Sequence, residues 1–157
     1  MEWFSASASQ LKDLISFLHT KSKTNDVVKK RIIIELRDNL NLFQNAFINN
    51  FSYEKLVDLL NNSAYQEAIK NNFSFRKLKN ARIEAKDVVD DRNKRYIGWT
   101  VEKLADKIDE KIVELRNINK LNGGSFKNVK NDIGSMVSNL YFRMKLMAGF
   151  IKAGNNY

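Results

Sequence analysis

Two aspartate pairs in this sequence stand at a spacing suited to metal binding. Asp87-x-x-Asp90 and Asp106-x-x-Asp109 each set two acids about one helical turn apart, and 15 residues separate the two pairs. Acids three residues apart share a helix face, and two such faces brought together can supply the oxygen ligands that Mg²⁺ requires. Other chemistry lacks its reagents. There is no Cys, which removes thiol nucleophiles, disulfides and Cys-ligated zinc, and the one His, His19, has no evident catalytic partner and suits a helix rim. No Glu-x-x-His pair offers a di-iron site, and Gly123-Gly124 fits a helix stop better than a phosphate-cradling loop.

The paired aspartates resemble the EXXE…EXXD motif of the all-α nucleoside triphosphate pyrophosphatases, in which helix-borne carboxylates hold Mg²⁺ against a triphosphate. The resemblance rests on these four positions and implies a Mg²⁺-dependent nucleotide pyrophosphohydrolase. The chain departs from the family by using Asp throughout where the longer Glu prevails. On a helical wheel both pairs also point away from the apolar stripe of their own segment, as solvated acids do. The HEPN-type ribonucleases share the expected class and size, but they need a His four to six residues after an Arg. Arg37 is followed by Asn41-Leu42-Phe43-Gln44. No catalytic residue, metal site or cofactor is assigned on this basis, and the expectation is a protein that is not an enzyme.

Charge offers a second route to function. Basic residues exceed acidic ones by 27 to 18, a net +9, which favours polyanionic partners. Lys79, Arg82 and Lys86 fall on one flank of the helix expected over 75–96, and Lys127, Lys130, Lys145 and Lys152 follow one stripe of the last helix; a basic stripe is the electrostatic footprint of a nucleic-acid binder. The 19 Lys against 8 Arg and the 20 Asn also match what AT-rich coding produces, pointing to a low-GC bacterium or a mobile element.

The last helical segment carries two apolar faces. Ile133, Met136, Leu140, Met144, Met147 and Ile151 form the main stripe, joined upstream by Phe126 and Val129, while Phe142, Leu146 and Phe150 lie largely opposite with Arg143 beside them. A second apolar face suits either a central helix or an interface with a protein partner or a second copy of the chain. The leading expectation is therefore a non-enzymatic accessory protein acting through protein contacts at Phe142, Arg143, Leu146 and Phe150, with nucleic-acid binding as the alternative and pyrophosphohydrolysis third.

The elements that must position these residues are all helices. The pattern aromatic, Ser/Thr, apolar, charged, Lys, Leu occurs at Phe51–Leu56, Phe73–Leu78 and Trp99–Leu104. Each copy sets a hydroxyl to cap a first turn, between an aromatic and a Leu spaced as a hydrophobic staple. Apolar steps of three and four predict helices over about 7–20, 26–50, 75–96, 100–121 and 126–152, with two short helices between 52 and 72, the second capped by Ser63 with Gln66. Pro is absent and all six Gly lie at position 98 or later, so long helices are permitted. The fold expected is an all-α antiparallel bundle of four to five longer helices with two short ones inserted, forming a single domain over 1–157. With Met1-Glu2 in place of a basic leader and no apolar run near the ~20 residues that span a bilayer, a cytoplasmic location without membrane contact is expected.

Overall fold

A computed structural model describes residues 2–5 and 8–153. Among them are seven α-helices: α1 (Glu2–Ser5), α2 (Ala8–Lys21), α3 (Val27–Ile48), α4 (Tyr53–Leu59), α5 (Ser63–Lys70), α6 (Val101–Leu121) and α7 (Ile133–Lys152). The fold is all-α, with four long helices and the short pair α4 and α5 inserted where the spacing places them. The start expected at Ser7 and the stop expected at Gly154 lie outside the described residues.

Side chains fix most of the helix starts. Asp26 accepts from the Lys29 N–H at 3.1 Å, Ser52 from Lys55 at 3.2 Å and Thr100 from Lys103 at 3.2 Å, each satisfying one of the first-turn donors that a helix leaves open. The Lys of each repeated start pattern also lies over the aromatic four residues before it: Lys55 3.9 Å from the Phe51 ring centroid, Lys77 5.8 Å from Phe73 and Lys103 4.4 Å from Trp99. At the other end of α3, Asn50 takes φ +53, the left-handed turn that Asn tolerates.

α7 is the central helix. It packs along α6 and also touches α2, α3 and α4. Its side chains at Ile133, Val137, Leu140, Tyr141, Met144, Met147 and Ile151 join one core with Leu11, Leu14 and Leu18 of α2, Ile33, Leu36, Leu40 and Phe43 of α3, and Leu104, Ile108, Ile112 and Leu115 of α6. Phe47, expected on the α3 seam, is 37% exposed and instead stacks on Phe4 at 4.8 Å, closing the edge of that core. No helix among the described residues is long and apolar enough to cross a membrane.

Three local expectations are corrected. The stretch 75–96 is not one amphipathic helix but three short 3₁₀ turns, Phe75–Lys77, Ala85–Asp87 and Asp91–Tyr96, with an isolated bridge from Arg82, between the first two, to Thr100. Ile83 donates its N–H to the Trp99 carbonyl at 2.8 Å and accepts from Gly98 at 2.7 Å. Phe75, Leu78, Ile83 and Tyr96 are all buried; the five-residue step from Leu78 to Ile83 would turn Ile83 about 140° off the stripe of a helix, so only an irregular chain buries both. The Asp87 carboxylate adds a local competitor by accepting the Glu84 N–H at 2.8 Å.

The last helix starts at Ile133 rather than near Phe126, because Asp132 caps it by accepting from Ser135 at 3.1 Å. Phe126 and Val129 pack on the core from the connection before it. The box expected at Ser63 is also absent. Asn62 occupies the cap position with no side-chain cap bond, and the first turn of α5 is capped from α3, where Glu35 accepts from Ala64 at 2.8 Å and Tyr65 at 3.1 Å.

Candidate anion-binding groove

The second apolar face of α7 is covered by the chain itself. Phe142, Leu146 and Phe150 are 7%, 5% and 1% exposed. The Arg92 guanidinium lies 4.4 Å from the Phe142 ring centroid, the Lys79 ammonium 5.3 Å from that of Phe150, and Trp3 6.1 Å from Phe142. Leu146 faces α2 across a groove shared with Asp90 and Lys145. These three side chains are core in this fold and offer no open interface, which corrects the surface expected from the sequence.

The fourth residue of that set, Arg143, behaves differently. It is 5% exposed, and its Nε donates to the Tyr96 hydroxyl. No carboxylate among the described residues lies within ion-pair distance of it. The other nearly buried cation of α7, Lys145, pairs with Asp90 at 3.1 Å. Burying a charge without a counter-ion is expensive; the Tyr96 ring, its centroid 5.7 Å from the Arg143 guanidinium, offsets part of that cost, and the rest of the fork faces the space it borders. That space is an open groove of about 350 Å³ lined by Arg95, Tyr96, Trp99, Lys107, Lys111 and Arg143.

Each lining residue has a traceable cause. Asn93, 2% exposed, donates to the Phe142 carbonyl at 3.0 Å and so clamps the Asp91–Tyr96 turn against α7. Tyr96 is thereby set under Arg143, with Arg95 lying 5.1 Å from the Tyr96 ring centroid. Gly98, at φ +92, makes the bend that Ile83 ties down, and Trp99 then meets Tyr96 edge to face at 4.8 Å; a side chain at Gly98 would be strained in that conformation. From Trp99 the chain enters α6, and Lys103, Lys107 and Lys111 follow at four-residue steps along one stripe of the helix.

The charge of the groove is positive and partly free. Lys107 and Lys111 pair with Glu110 at 3.5 Å and Glu114 at 2.8 Å. Such three-apart surface pairs contribute only a few tenths of a kcal/mol, so a better anion can displace them. An Arg held by its Nε presents its remaining N–H groups as a fork, the geometry that meets phosphate or carboxylate oxygens two at a time. Trp99 is partly exposed and supplies an apolar wall beside these cations.

The basic residues singled out in the sequence scatter instead of forming stripes. Lys79 donates to the Ala153 carbonyl, Arg82 to the Gly98 carbonyl at 3.0 Å, and Lys86 pairs with Glu84 at 3.4 Å. Lys79 and Arg82 do border one open depression of about 340 Å³ with Arg76 and Glu102. Lys127 and Lys130 sit in the connection before α7, off its axis, while Lys145 is spent on Asp90 and Lys152 lies by Gln10 and Asp13. The paired aspartates do not converge either: Asp87 caps its own turn and Asp90 holds Lys145, whereas Asp106 accepts from the Tyr65 hydroxyl and Asp109 from Asn62 and Gln66 at 2.8 and 2.9 Å. No group of three or more His, Asp or Glu side chains among the described residues is arranged to hold a metal ion. The resemblance to the pyrophosphatases therefore finds no support in the geometry.

A second cavity, about 40 Å³, lies between α3, α5 and α6 and is bordered by Glu35, Asn39, Asn62, Tyr65 and Asp109. Burial pushes the Glu35 carboxyl above its ordinary range, against the pull of the two backbone donors of α5. Burial, then the Asp106 carboxylate, raises the Tyr65 hydroxyl. These groups satisfy one another, so the cluster is a structural junction.

Sequence reasoning passed over Arg95, Trp99, Lys107 and Lys111. Part of their signal is in the sequence: Trp99, Lys103, Lys107 and Lys111 recur at four-residue steps, a spacing that an ordinary solvated helix face also shows. Nothing in the sequence ties Arg95 or Arg143 to that face. Comparison with protein-family models, with curated proteins and with solved structures finds no match to this chain.

Proposed function

We propose that this protein binds nucleic acid through the groove of Arg95, Trp99, Lys107, Lys111 and Arg143. The observation that carries the reading is Arg143, a nearly buried guanidinium with no carboxylate partner among the described residues, opening on a groove whose rim is basic. A phosphate backbone supplies the missing charge, and the net +9 of the whole chain adds long-range attraction. The partly exposed Trp99 favours a ligand with flat apolar faces over a simple inorganic anion. The earlier expectation of a partner bound through Phe142, Leu146 and Phe150 has lost its surface, and a cytoplasmic location belongs to the same proposal as the ligand.

Fluorescence anisotropy of labelled oligonucleotides tests it. Binding should weaken as salt rises from roughly 50 to 200 mM, and Lys107→Gln with Lys111→Gln should reduce the log-log salt slope by about 1.4 to 1.8, the loss of two phosphate contacts. Lys127→Gln with Lys130→Gln removes the same charge outside the groove and should change little. Equal losses from the two double variants, or no saturable binding at the lower salt, would overturn the proposal, as would a stronger and groove-dependent affinity for an acidic polypeptide.

A further inference from the structure

Resting on that reading, we infer that the groove is a receptor for a terminal phosphate monoester of a single nucleic-acid strand, with Arg143 as the floor that takes the phosphate. The two kinds of cation in the groove divide the work. Lys107 and Lys111 lie on the partly exposed face of α6 and Arg95 is exposed, so all three can follow a ligand at the rim. Arg143, 5% exposed and fixed by the Tyr96 hydroxyl, cannot move out to meet one.

Only a group that projects from its carrier reaches such a floor. An internal phosphodiester offers two free oxygens and a single charge, and its two flanking sugars would have to enter with it. A terminal monoester stands at the end of a chain, offers three oxygens and carries close to two charges at neutral pH. It can accept the fork of Arg143 while the rim lysines neutralise the second charge. The groove is open to solvent and holds about 350 Å³, room for a group the size of one nucleotide. One nucleotide at the end of a strand fits that scale, with its base toward Trp99.

The test is a competition measurement with one single-stranded sequence in three forms: 5′-phosphorylated, 3′-phosphorylated and unphosphorylated. The form whose end phosphate seats on Arg143 should bind at least about tenfold more tightly than the unphosphorylated strand, the worth of a hydrogen bond to a charged group. The preference should vanish in Arg143→Gln while the unphosphorylated strand still binds. Because Arg143→Gln alters a nearly buried group and can unfold the chain, Tyr96→Phe supplies the second variant: it removes only the hydroxyl that fixes Arg143 and should reduce the preference. Equal binding of all three forms, with Lys107→Gln and Lys111→Gln still weakening each, would overturn the inference and leave the groove as a general nucleic-acid site. A preference that survives in folded Arg143→Gln would also overturn it. No binding in any form would remove both this inference and the reading beneath it.

Discussion

The side-chain amide of Asn39 pairs with both backbone polar groups of Asn61, donating from Nδ2 to the carbonyl at 2.8 Å and accepting the N–H at Oδ1 at 3.0 Å. Asn39 is 4% exposed on α3 and Asn61 lies in the link between α4 and α5. The amide thus satisfies backbone groups in a partly buried link that no helix serves. Asn39→Leu leaves both groups unpaired and should cost about 1 to 3 kcal/mol. Urea denaturation would show a lower midpoint at an unchanged slope, and an unaltered midpoint would mean that water replaces the amide without loss.

Lys145 of α7 and Asp90 form a half-buried ion pair, with the Lys145 side chain 5% exposed and that of Asp90 25% exposed. Asp90→Ala strands the ammonium and should destabilise by about 1 to 3 kcal/mol, less than for a fully buried pair. Asp90→Ala combined with Lys145→Met removes the stranded charge and should recover most of that. A double-mutant cycle by chemical denaturation measures both effects, and a double variant no better than Asp90→Ala would show that the pair is not what holds this edge together.

Phe150 is 1% exposed and serves the core. Phe150→Ala should lower stability by about 3 to 5 kcal/mol. Sedimentation should find the same mass as for the parent protein. A variant that keeps its melting temperature but changes its mass would restore the interface that the sequence suggested.

The three start patterns should respond differently to loss of the hydroxyl. Ser52→Ala and Thr100→Ala each remove a bond to a first-turn N–H and should cost about 0.5 to 2 kcal/mol. Ser74 heads a 3₁₀ turn and makes no side-chain cap bond, so Ser74→Ala should fall within about 0.5 kcal/mol of the parent. Thermal melts of the three variants at one pH rank them.

Two glutamates should tilt the pH dependence in opposite directions. Burial raises Glu35 in the folded protein, so its folded form holds the proton more tightly, and its contribution is lost as pH rises from its ordinary value of 4.5 through the raised one. Glu35→Gln should therefore gain on the parent across that window. The Phe126 N–H, 2.8 Å away, lowers Glu54, whose contribution is present above 4.5 and lost as pH falls through the lowered value. Glu54→Gln should lose its disadvantage in acid. Unfolding free energies measured from acid to neutral pH, taken as differences from the parent, give both slopes, and parallel profiles would contradict both assignments.

The sequence by itself determined the long helices, because each advertises a local rule. α3 and α6 carry apolar residues at steps of three and four and are bounded by Asp26, Thr100 and the Asn-rich stops. Such signals need no knowledge of neighbours, since capping and periodicity are properties of one segment.

Tertiary structure decided the rest through partners remote in sequence. The stretch 75–96 matches a helical stripe, and α7 carries a second apolar face; taken singly, the first looks like an outer helix and the second like an interface. They are one feature. The irregular chain lays Arg92 on Phe142 and Lys79 by Phe150, and Asn93 bonds the α7 backbone. Burying that face outweighed local helix preference. The same wrapping brings Tyr96 to Arg143, 47 residues away, and Trp99 to the head of the α6 lysine stripe. Charge convergence of this kind has no period in sequence, because it depends on how three elements pack and not on how any one of them is built.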